Sequence, residues 1–228
     1  MIYITGDTHG NLTRLNIIPA KKGDVIIILG DFGVVWSTDK LSANSEKKQL
    51  EFAREKEYTI LFVDGNHENF DRIENFGRIE KYGAEVGVYI ENIFHLKRGN
   101  IYTIEGKKFF VFGGGLSIDK AWRCPHVSYW EQELPNFAQY KNGLDNLEKE
   151  NWNVDFILSH EGPRTIAAQL LRQYHMTTTK NPDYDLPRYL EEVMNKTTFK
   201  HWYFGHYHVP KTTFRDKFTC MFEGYTKL

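Results

Sequence analysis

The chain has 228 residues, with 29 Lys and Arg against 30 Asp and Glu and a formal net charge of -1 at pH 7. This balance excludes the bulk basicity that holds long nucleic acids or anionic membranes, so any phosphate must bind at a local site. A hydrophobic content of 41% excludes disorder, and the longest wholly apolar run, Val25–Leu29, is too short to span a bilayer. We therefore expect a soluble globular protein that forms one domain over residues 1–228.

The first part of the chain alternates between strand and helix patterns. Three β-branched or aromatic runs, Ile2–Thr5, Val25–Leu29 and Tyr58–Val63, are strand candidates. Amphipathic or charged segments of helical character, Asn11–Ile18 and Ser42–Glu57, lie between them. This order is typical of a β-α-β-α-β unit. Nothing resembling a secretory signal precedes the first run, which predicts a cytoplasmic protein.

The middle of the chain has a different pattern. Residues 86–112 contain sequential short strands with Gly turns, including Ile101–Ile104 and Phe109–Phe112. The segment Ile118–Pro135 is the least regular part of the chain and predicts a long loop. Long loops in compact domains are often functional, so we expect this loop to contribute to a site.

The C-terminal half contains three more strand candidates and three helix candidates. These are the strands Phe156–Leu158, His201–Phe204 and Phe218–Phe222 and the helices Asn136–Lys149, Arg164–Tyr174 and Leu186–Asn195. The last two strands flank the polar turn Arg215–Lys217, which predicts a hairpin between them. The whole pattern favours an α/β fold with mixed α+β character, in which a mixed sheet is folded as two layers with helices outside.

Polar side chains suited to metal binding follow five of the predicted strands, each next to a glycine or another small residue. The sequences are Gly6-Asp7-Thr8-His9-Gly10, Gly30-Asp31, Gly65-Asn66-His67-Glu68, Ser159-His160 and Gly205-His206-Tyr207-His208. Strand ends hold such side chains rigidly and bring them together. We therefore expect seven metal ligands, which are Asp7, His9, Asp31, Asn66, His160, His206 and His208.

Seven oxygen and nitrogen ligands without a thiolate favour divalent ions such as Mn, with Fe, Zn, Ni or Co as alternatives. Two ions fit better than one, because a single tetrahedral site would use only three or four of the ligands. Two ions that share one carboxylate lower the pKa of a bridging water and clamp a phosphoester for attack by the resulting hydroxide. His67, next to the ligand Asn66, is placed to protonate the leaving alkoxide.

The order of these motifs resembles that of the calcineurin-like metallophosphoesterases, whose pattern is D-x-H, G-D, G-N-H-[DE], H and G-H-x-H. Every element is present in order between Asp7 and His208. The resemblance implies a four-layer α/β-β/α sandwich, with two mixed sheets flanked by helices and a dinuclear site at the sheet edges. It also implies the roles: Asp7, His9 and His208 hold one metal, Asn66, His160 and His206 hold the other, Asp31 bridges, and His67 is the acid.

The second motif departs from the pattern of the phosphoprotein phosphatases and dinucleoside tetraphosphatases. The Asp and Arg of those subfamilies would fall at Val34 and Val35. Because a valine can neither accept a proton from imidazole nor bind phosphate as a guanidinium does, both subfamilies are disfavoured. We expect substrate phosphate to be bound instead by Arg123, our first choice, with Arg98 and Asn11 as further candidates.

Several other residues have both a functional and a structural interpretation. The run Gly113–Gly115 could cradle phosphate or could form only a turn. Aromatic side chains could stack on a base or a sugar or could belong to the core; they are Trp36, Trp122, Tyr129 and Trp130. The histidines outside the motifs are expected to be structural or exposed; they are His95, His126, His175 and His201.

Three functions remain open. The leading hypothesis is hydrolysis of a small phosphomonoester or phosphodiester by a dinuclear metal site. The second is a nuclease or cyclic-nucleotide phosphodiesterase, which the loop aromatics and the missing Arg favour. The third is a metal-binding scaffold that docks a partner without catalysis. The partner expected in the first case is a small-molecule phosphoester, with neither a membrane nor an extended nucleic acid.

Overall fold

A computed structural model describes residues 1–176 and 181–228 of the chain. The strands in these ranges are β1 (Ile2–Thr5), β2 (Val25–Leu29), β3 (Thr59–Val63), β4 (Gly77–Lys81), β5 (Ala84–Ile90), β6 (Ile93–Leu96), β7 (Ile101–Ile104), β8 (Lys107–Phe112), β9 (Phe156–Ser159), β10 (His201–Phe204), β11 (Thr212–Phe214), β12 (Phe218–Cys220) and β13 (Tyr225–Lys227). The α-helices are α1 (Lys40–Arg54), α2 (Phe70–Ile73), α3 (Phe137–Lys149), α4 (Arg164–Gln173) and α5 (Asp185–Lys196). Short 3-10 helices cover Leu12–Ile17, Lys120–Trp122 and Glu131–Glu133.

The strands form two mixed sheets of similar design. The first has the order β13-β1-β2-β3-β6-β5-β4, and the second has the order β11-β12-β10-β9-β8-β7. In each sheet four central strands are parallel: β1, β2, β3 and β6 in the first, and β12, β10, β9 and β8 in the second. Antiparallel strands lie at the edges. The carboxyl ends of neighbouring parallel strands meet at one edge of a sheet, and the predicted ligands follow those ends.

Three apolar clusters show that the two sheets are stacked and covered by helices. Ile27 of β2 and Phe109 of β8 belong to the cluster between the sheets. Their neighbours Ile28 and Phe110 point the opposite way, toward the outer layers, because side chains alternate along a strand. Burial on both faces explains why the central strands are almost wholly apolar. The arrangement is helix, sheet, sheet, helix, which confirms the four-layer sandwich.

Most predicted elements are confirmed. All eight predicted strands are present, within two residues of their predicted bounds, and four of the five predicted helices are α-helices. The fifth, Asn11–Ile18, is the 3-10 helix Leu12–Ile17, capped by the Asn11 side chain. The segment Ile118–Pro135 is irregular apart from two 3-10 turns and an isolated bridge between Pro125 and Tyr129, as predicted.

One predicted pairing is wrong. β10 and β12 were expected to form a hairpin around Arg215–Lys217, but they pair in parallel. The turn instead joins β12 to the three-residue strand β11, and that pair is antiparallel. β11, with the sequence Thr-Thr-Phe, is too short at three residues to show a strand pattern. The polar turn therefore indicates a hairpin correctly, but its first strand is β11.

Candidate metal centre

The first group of ligand candidates lies at the ends of β1, β2 and β10. Asp7 is buried, and its Oδ2 lies 3.0 Å from Nε2 of His208. Nε2 of His208 in turn lies 2.9 Å from Nε2 of His9. Together with Asp31, these residues each offer one ligand atom, and the four atoms lie within 4.8 Å of one another. Two carboxylates and two imidazoles in this arrangement could surround one divalent ion.

The second group lies at the ends of β3, β9 and β10 and is fully enclosed. Nε2 of His160 lies 3.2 Å from Nδ1 of His206 and 3.2 Å from Oδ1 of Asn66. All three residues are buried. The structure therefore brings the seven sequence-predicted ligands into two adjacent groups, with Asp31 between them.

Asp31 faces both groups with different oxygens. Its Oδ2 lies 3.7 Å from Nε2 of His9, and its Oδ1 lies 3.3 Å from Nε2 of His160. Burial acts to raise the pKa of Asp31, but His160, His67 and His9 outweigh it and hold the pKa below its ordinary value. The backbone N–H of His67 also donates to Oδ1, at 2.8 Å. Asp31 is therefore an anion at the centre of the site.

The orientation of His160 fits a metal ligand. Its Nδ1 lies 2.8 Å from the carbonyl oxygen of Leu29, which can only accept, so Nδ1 carries the proton. When Nε2 carries no proton, it directs its lone pair at Oδ1 of Asn66, which is also electron-rich. Two such atoms 3.2 Å apart require a positive group between them, either a proton or a metal ion. A backbone carbonyl behind the ring is the usual support of a metal-bound histidine.

The backbone is strained at four of the seven ligand candidates. His9, Asp31, His206 and His208 have φ values of 47°, 44°, 69° and 52°, in the left-handed region. Such conformations cost on the order of 1–3 kcal/mol each and concentrate at functional sites. The sharp turns that they produce direct the side chains of neighbouring strands toward each other.

The glycines of the motifs are required by close contacts with the ligands. A Cβ at Gly65 would lie 2.1 Å from Oδ1 of Asp31, and one at Gly30 would lie 2.2 Å from Nδ1 of His160. Both distances are far shorter than any real contact. The recurring glycines of the sequence motifs therefore leave room for the ligand side chains.

His67 lies beside the first group. Its ring centroid is 5.2 Å from that of His9, and its Nε2 lies 3.2 Å from Nη2 of Arg123, which donates to it. Burial lowers the pKa of His67 to about 4; the negative charge of Asp31 opposes this shift and the positive charge of Arg123 adds to it. The ring is therefore neutral at neutral pH and holds its proton on Nδ1.

Arg123, which we expect to bind substrate phosphate, lies in the long loop and contacts His67. Its Nε pairs with Oδ1 of Asp119 at 2.8 Å, and its Nη1 donates to the carbonyl of Ser128 at 3.2 Å. These contacts hold the guanidinium against His67. The loop is itself fastened to α2 by Asp71, which accepts from Nε1 of Trp130 at 2.8 Å and from Nδ1 of His126 at 2.9 Å.

The positions of Arg98 and Asn11 give less support to a substrate contact. Arg98 is 5% exposed, its Nε donates to Oδ2 of Asp64 at 2.7 Å, and its Nη2 donates to the carbonyl of Gln132 at 2.8 Å. This buried ion pair indicates a structural role for Arg98. Asn11 is exposed near His9, and its Oδ1 accepts from the backbone N–H of Thr13 at 3.2 Å, as a helix cap does.

The other ambiguous residues separate into core and surface. Gly114 and Gly115 donate their N–H groups to the carbonyls of Asp64 and Glu133, so these groups do not form a phosphate cradle. Tyr129 and Trp130 are buried, whereas Trp122 is exposed. Trp36 is the aromatic beside the site, 6.0 Å from the ring of His67.

Histidines outside the motifs have structural partners or lie at the surface, as expected. His95 bonds to Oδ1 of Asp64 at 2.9 Å, and His201 bonds to Oγ1 of Thr219 at 2.8 Å. His126, which lies in the long loop, bonds to Asp71 of α2, and His175 is exposed.

Two buried glutamates next to the ligands, Glu68 of the third motif and Glu161, have no role among the sequence-based predictions. Glu68 accepts from the backbone N–H groups of Phe32 and Gly33, at 2.7 Å and 3.2 Å, and so holds the turn that carries Asp31. Burial raises its pKa well above the ordinary value. Glu161 accepts from the N–H of Gly162 and from the hydroxyls of two tyrosines. Glu68 belongs to the third motif and Glu161 follows a motif histidine, but neither position distinguishes a buried glutamate from an exposed one.

The family comparison agrees with this geometry. The family model described as calcineurin-like phosphoesterase matches residues 1–210 of the chain. The chain belongs to the calcineurin-like phosphoesterase family. Members of this family are hydrolases that act on phosphoester bonds and use divalent metal ions, so the protein is a metallophosphoesterase. No curated protein matches the chain at a significant level.

The identification favours an enzyme over the metal-binding scaffold considered above. The donor set fits divalent ions, because imidazole, carboxylate and amide oxygens converge at strand ends with the metal-facing nitrogen of His160 already selected. Within the part of the metallophosphoesterase that the structure describes, no helix is long and apolar enough to cross a membrane.

Proposed function

We propose that the protein hydrolyses a small phosphomonoester or phosphodiester with two divalent ions bound in the two ligand groups. The observation that supports this proposal is the position of Asp31, whose two oxygens face His9 and His160 separately. A carboxylate placed in this way has the arrangement of a bridging ligand. In this assignment Asp7, His9 and His208 hold one ion, and Asn66, His160 and His206 hold the other. Mn is the first candidate, with Fe, Zn, Ni or Co as alternatives.

Bound ions would supply the positive charge that holds phosphoryl oxygens and lowers the pKa of a water molecule. The chain itself supplies the groups around them. His67 lies at the edge of the first group and is placed to give a proton to the leaving oxygen. A phosphoester anion beside the ring raises the pKa of His67 again and favours the protonated form that this step requires. The same anion attracts the guanidinium of Arg123.

The net charge of the protein favours a small substrate. With a net charge of -1 and one arginine at the edge of the site, a local phosphate is better matched than an extended nucleic acid. A cytoplasmic location and a single domain over residues 1–228 are part of this proposal. Oligomeric state has no bearing on this assignment, because all seven ligand candidates come from one chain.

A second candidate function is phosphodiester hydrolysis of a cyclic nucleotide or of a nuclease substrate. The observation that favours it is Trp36, whose ring lies 6.0 Å from His67 and is tilted by 32° against it, where a base could stack. Turnover of an aryl phosphomonoester and of a bis-aryl phosphodiester by the same Mn-loaded preparation separates the two. A preference for the diester favours this candidate, and a preference for the monoester favours a phosphatase.

The test of the dinuclear assignment is Asp31→Asn. We expect two Mn ions per wild-type chain in elemental analysis after dialysis, and at most one in the variant. Turnover of the aryl esters should fall by at least about 10²-fold, the scale of losing one preorganised electrostatic contact. Asp145→Asn is the matched control, because the side chain of Asp145 on α3 is 44% exposed and pairs only with Lys141 in the described contacts. One Mn per wild-type chain at saturation, or two in Asp31→Asn, would contradict the assignment.

A further inference from the structure

The carboxamide of Asn66 can face the second ligand group with either Oδ1, which is an acceptor, or Nδ2, which is a donor. Its Oδ1 lies 3.2 Å from Nε2 of His160, and its Nδ2 donates to Oγ of Ser117 at 3.1 Å. A half-turn about the last side-chain torsion would exchange the two atoms with almost no change of shape. The group that then faced His160 would be an N–H donor, which cannot bind a metal ion. The direction of this carboxamide must therefore be determined by its neighbours.

The neighbours form a directed chain of hydrogen bonds. Oγ of Ser117 donates to Oε2 of Glu133 at 2.7 Å, and the backbone N–H of Ser117 donates to Oε1 at 3.2 Å. Glu133 is 0% exposed and Ser117 is 4% exposed, so water does not compete for these bonds. Both oxygens of Glu133 accept from Ser117, which commits the single hydroxyl proton of Ser117 to Glu133. The Ser117 oxygen is then an acceptor for Asn66, and Nδ2 is the carboxamide atom that can donate to it.

We propose that Ser117 and Glu133 are positioning residues that fix the direction of the Asn66 carboxamide, so that Oδ1 faces the second ligand group and binds its ion. The hydrogen bonds run from Asn66 to Ser117 to Glu133, and each donor has one acceptor. This inference rests on the proposed two-ion function. It assigns a role to two buried polar residues of the long-loop region that belong to none of the family motifs.

Glu133 is itself held in place from behind. Its backbone carbonyl accepts from the N–H of Gly115 at 3.1 Å. Arg98 donates to the adjacent carbonyl of Gln132 at 2.8 Å and pairs with Asp64, two residues before the ligand asparagine. The contacts form a closed ring that starts and ends at the turn after β3. This ring explains why a buried arginine lies behind the site without contacting the ligands.

The stretch that carries Ser117 also covers the second group. A Cβ at Gly115 would lie 3.0 Å from Oδ1 of Asn66 and 3.0 Å from Cδ2 of His160. The backbone therefore packs directly over the ligand atoms and keeps water away from the carboxamide. A misdirected carboxamide would find no solvent to compensate for the lost hydrogen bond to Ser117.

The experiment measures Mn binding rather than turnover alone. Glu133→Gln keeps the shape of the side chain but adds an N–H donor, so the hydroxyl of Ser117 can turn to Asn66 and the carboxamide can reverse. We expect the affinity for one of the two Mn ions to fall by about 10–100-fold in calorimetric titration, the usual effect of losing a partner of a ligand. The affinity for the other ion should stay unchanged. In electron paramagnetic resonance, the coupled signal of an Mn pair should give way to that of an isolated ion at equal loading.

Ser117→Ala should behave like Glu133→Gln, and Ser117→Thr, which keeps the hydroxyl, should restore both ions. Because Ser117→Ala leaves Glu133 in place, it carries the test if Glu133→Gln does not fold, as judged by thermal unfolding of the metal-free proteins. Glu131→Gln is the matched control, since Glu131 lies in the same 3-10 helix but is exposed.

Two outcomes would overturn the inference, and they differ. Two Mn ions of wild-type affinity in both Glu133→Gln and Ser117→Ala would show that the carboxamide needs no such support, while the two-ion function would stand. A single Mn in the wild-type protein at saturation would remove the two-ion function and, with it, the role of these residues.

Discussion

The two ligand groups are built from similar residues but differ in their exposure. In the first group the side chains of His9 and His208 are 32% and 44% exposed, whereas those of His160 and His206 in the second are 0% and 6% exposed. Asp31 is common to both. One half of the site is therefore open to solvent, and the other half is enclosed by protein.

The surroundings of the two groups differ in the same way. Behind the enclosed group, His160 bonds to a backbone carbonyl and Asn66 bonds to Ser117. Beside the open group lie His67 and the guanidinium of Arg123. The open side thus has the groups that can meet a substrate, and the enclosed side has the groups that hold ligands still. We therefore expect substitutions on the open side to change catalysis and substitutions on the enclosed side to change stability or metal binding, and the two expectations can be tested separately.

The largest effect is expected on the open side, from His67→Gln. For an alkyl phosphoester, whose leaving oxygen needs a proton, kcat should fall by about 10²–10⁴-fold, the usual contribution of a general acid. For a p-nitrophenyl ester the loss should be much smaller, because that leaving group departs without a proton. Steady-state kinetics on both esters gives the comparison. Equal losses on the two, or a loss of bound Mn, would show that His67 does not act as the acid.

The next effect is a loss of stability, which is expected for Arg98→Met behind the enclosed side. Removing the guanidinium leaves Asp64 buried with His95 as its remaining partner, and breaking a buried pair costs about 3–5 kcal/mol. Urea unfolding of the metal-free protein measures this loss. Arg78→Met is the control, because Arg78 is exposed and its pair with Glu85 is 4.0 Å long, a contact worth about 0–1 kcal/mol. Unchanged stability with a raised KM would restore the sequence-based prediction that Arg98 binds substrate.

Arg98 also shows which parts of the molecule the sequence reveals. The seven ligand candidates are recognisable because each lies next to a glycine or small residue at a strand end, and both signals are local. Arg98 has no such signal. Its partner Asp64 is 34 positions away and meets it because β3 and β6 are neighbours in the sheet. Burial that arises from strand order cannot be deduced from residue type, since arginines are mostly exposed.

The strands likewise divide into those that the sequence predicts and those that it does not. Central strands such as β2 are predictable because burial on both faces makes them wholly apolar. The edge strand β4, with the sequence Gly-Arg-Ile-Glu-Lys, is mostly exposed and was not predicted as a separate strand. The burial of Glu68 and Glu133 was not predicted for the reason given for Arg98, because acidic loop residues are usually solvated.

A smaller effect is expected for Arg123→Ala on the open side. A hydrogen bond to a charged group is worth about 1.5–3 kcal/mol, so kcat/KM for either ester should fall by about 10–100-fold, mainly through KM. The number of bound Mn ions should not change, because Arg123 contacts His67 rather than a ligand. Arg54→Ala provides the control, since Arg54 lies at the end of α1 and pairs with Glu91. A fall in kcat with KM unchanged would mean that Arg123 acts by positioning His67 and does not bind phosphate.

The smallest effect is expected at Asn11, which lies close to the open group but also caps a 3-10 helix. Asn11→Ala removes both the cap and the carboxamide, so it should lower the free energy of unfolding by about 1 kcal/mol and raise KM. Asn11→Ser keeps a capping oxygen and removes the amide N–H group. If the carboxamide donates to substrate phosphate, Asn11→Ser should raise KM by about 10-fold, the lower end of the value of a hydrogen bond to a charged group, while its urea midpoint stays at the wild-type value. A wild-type KM in Asn11→Ser would leave Asn11 with a structural role, and the open side would then bind phosphate through Arg123 without its help.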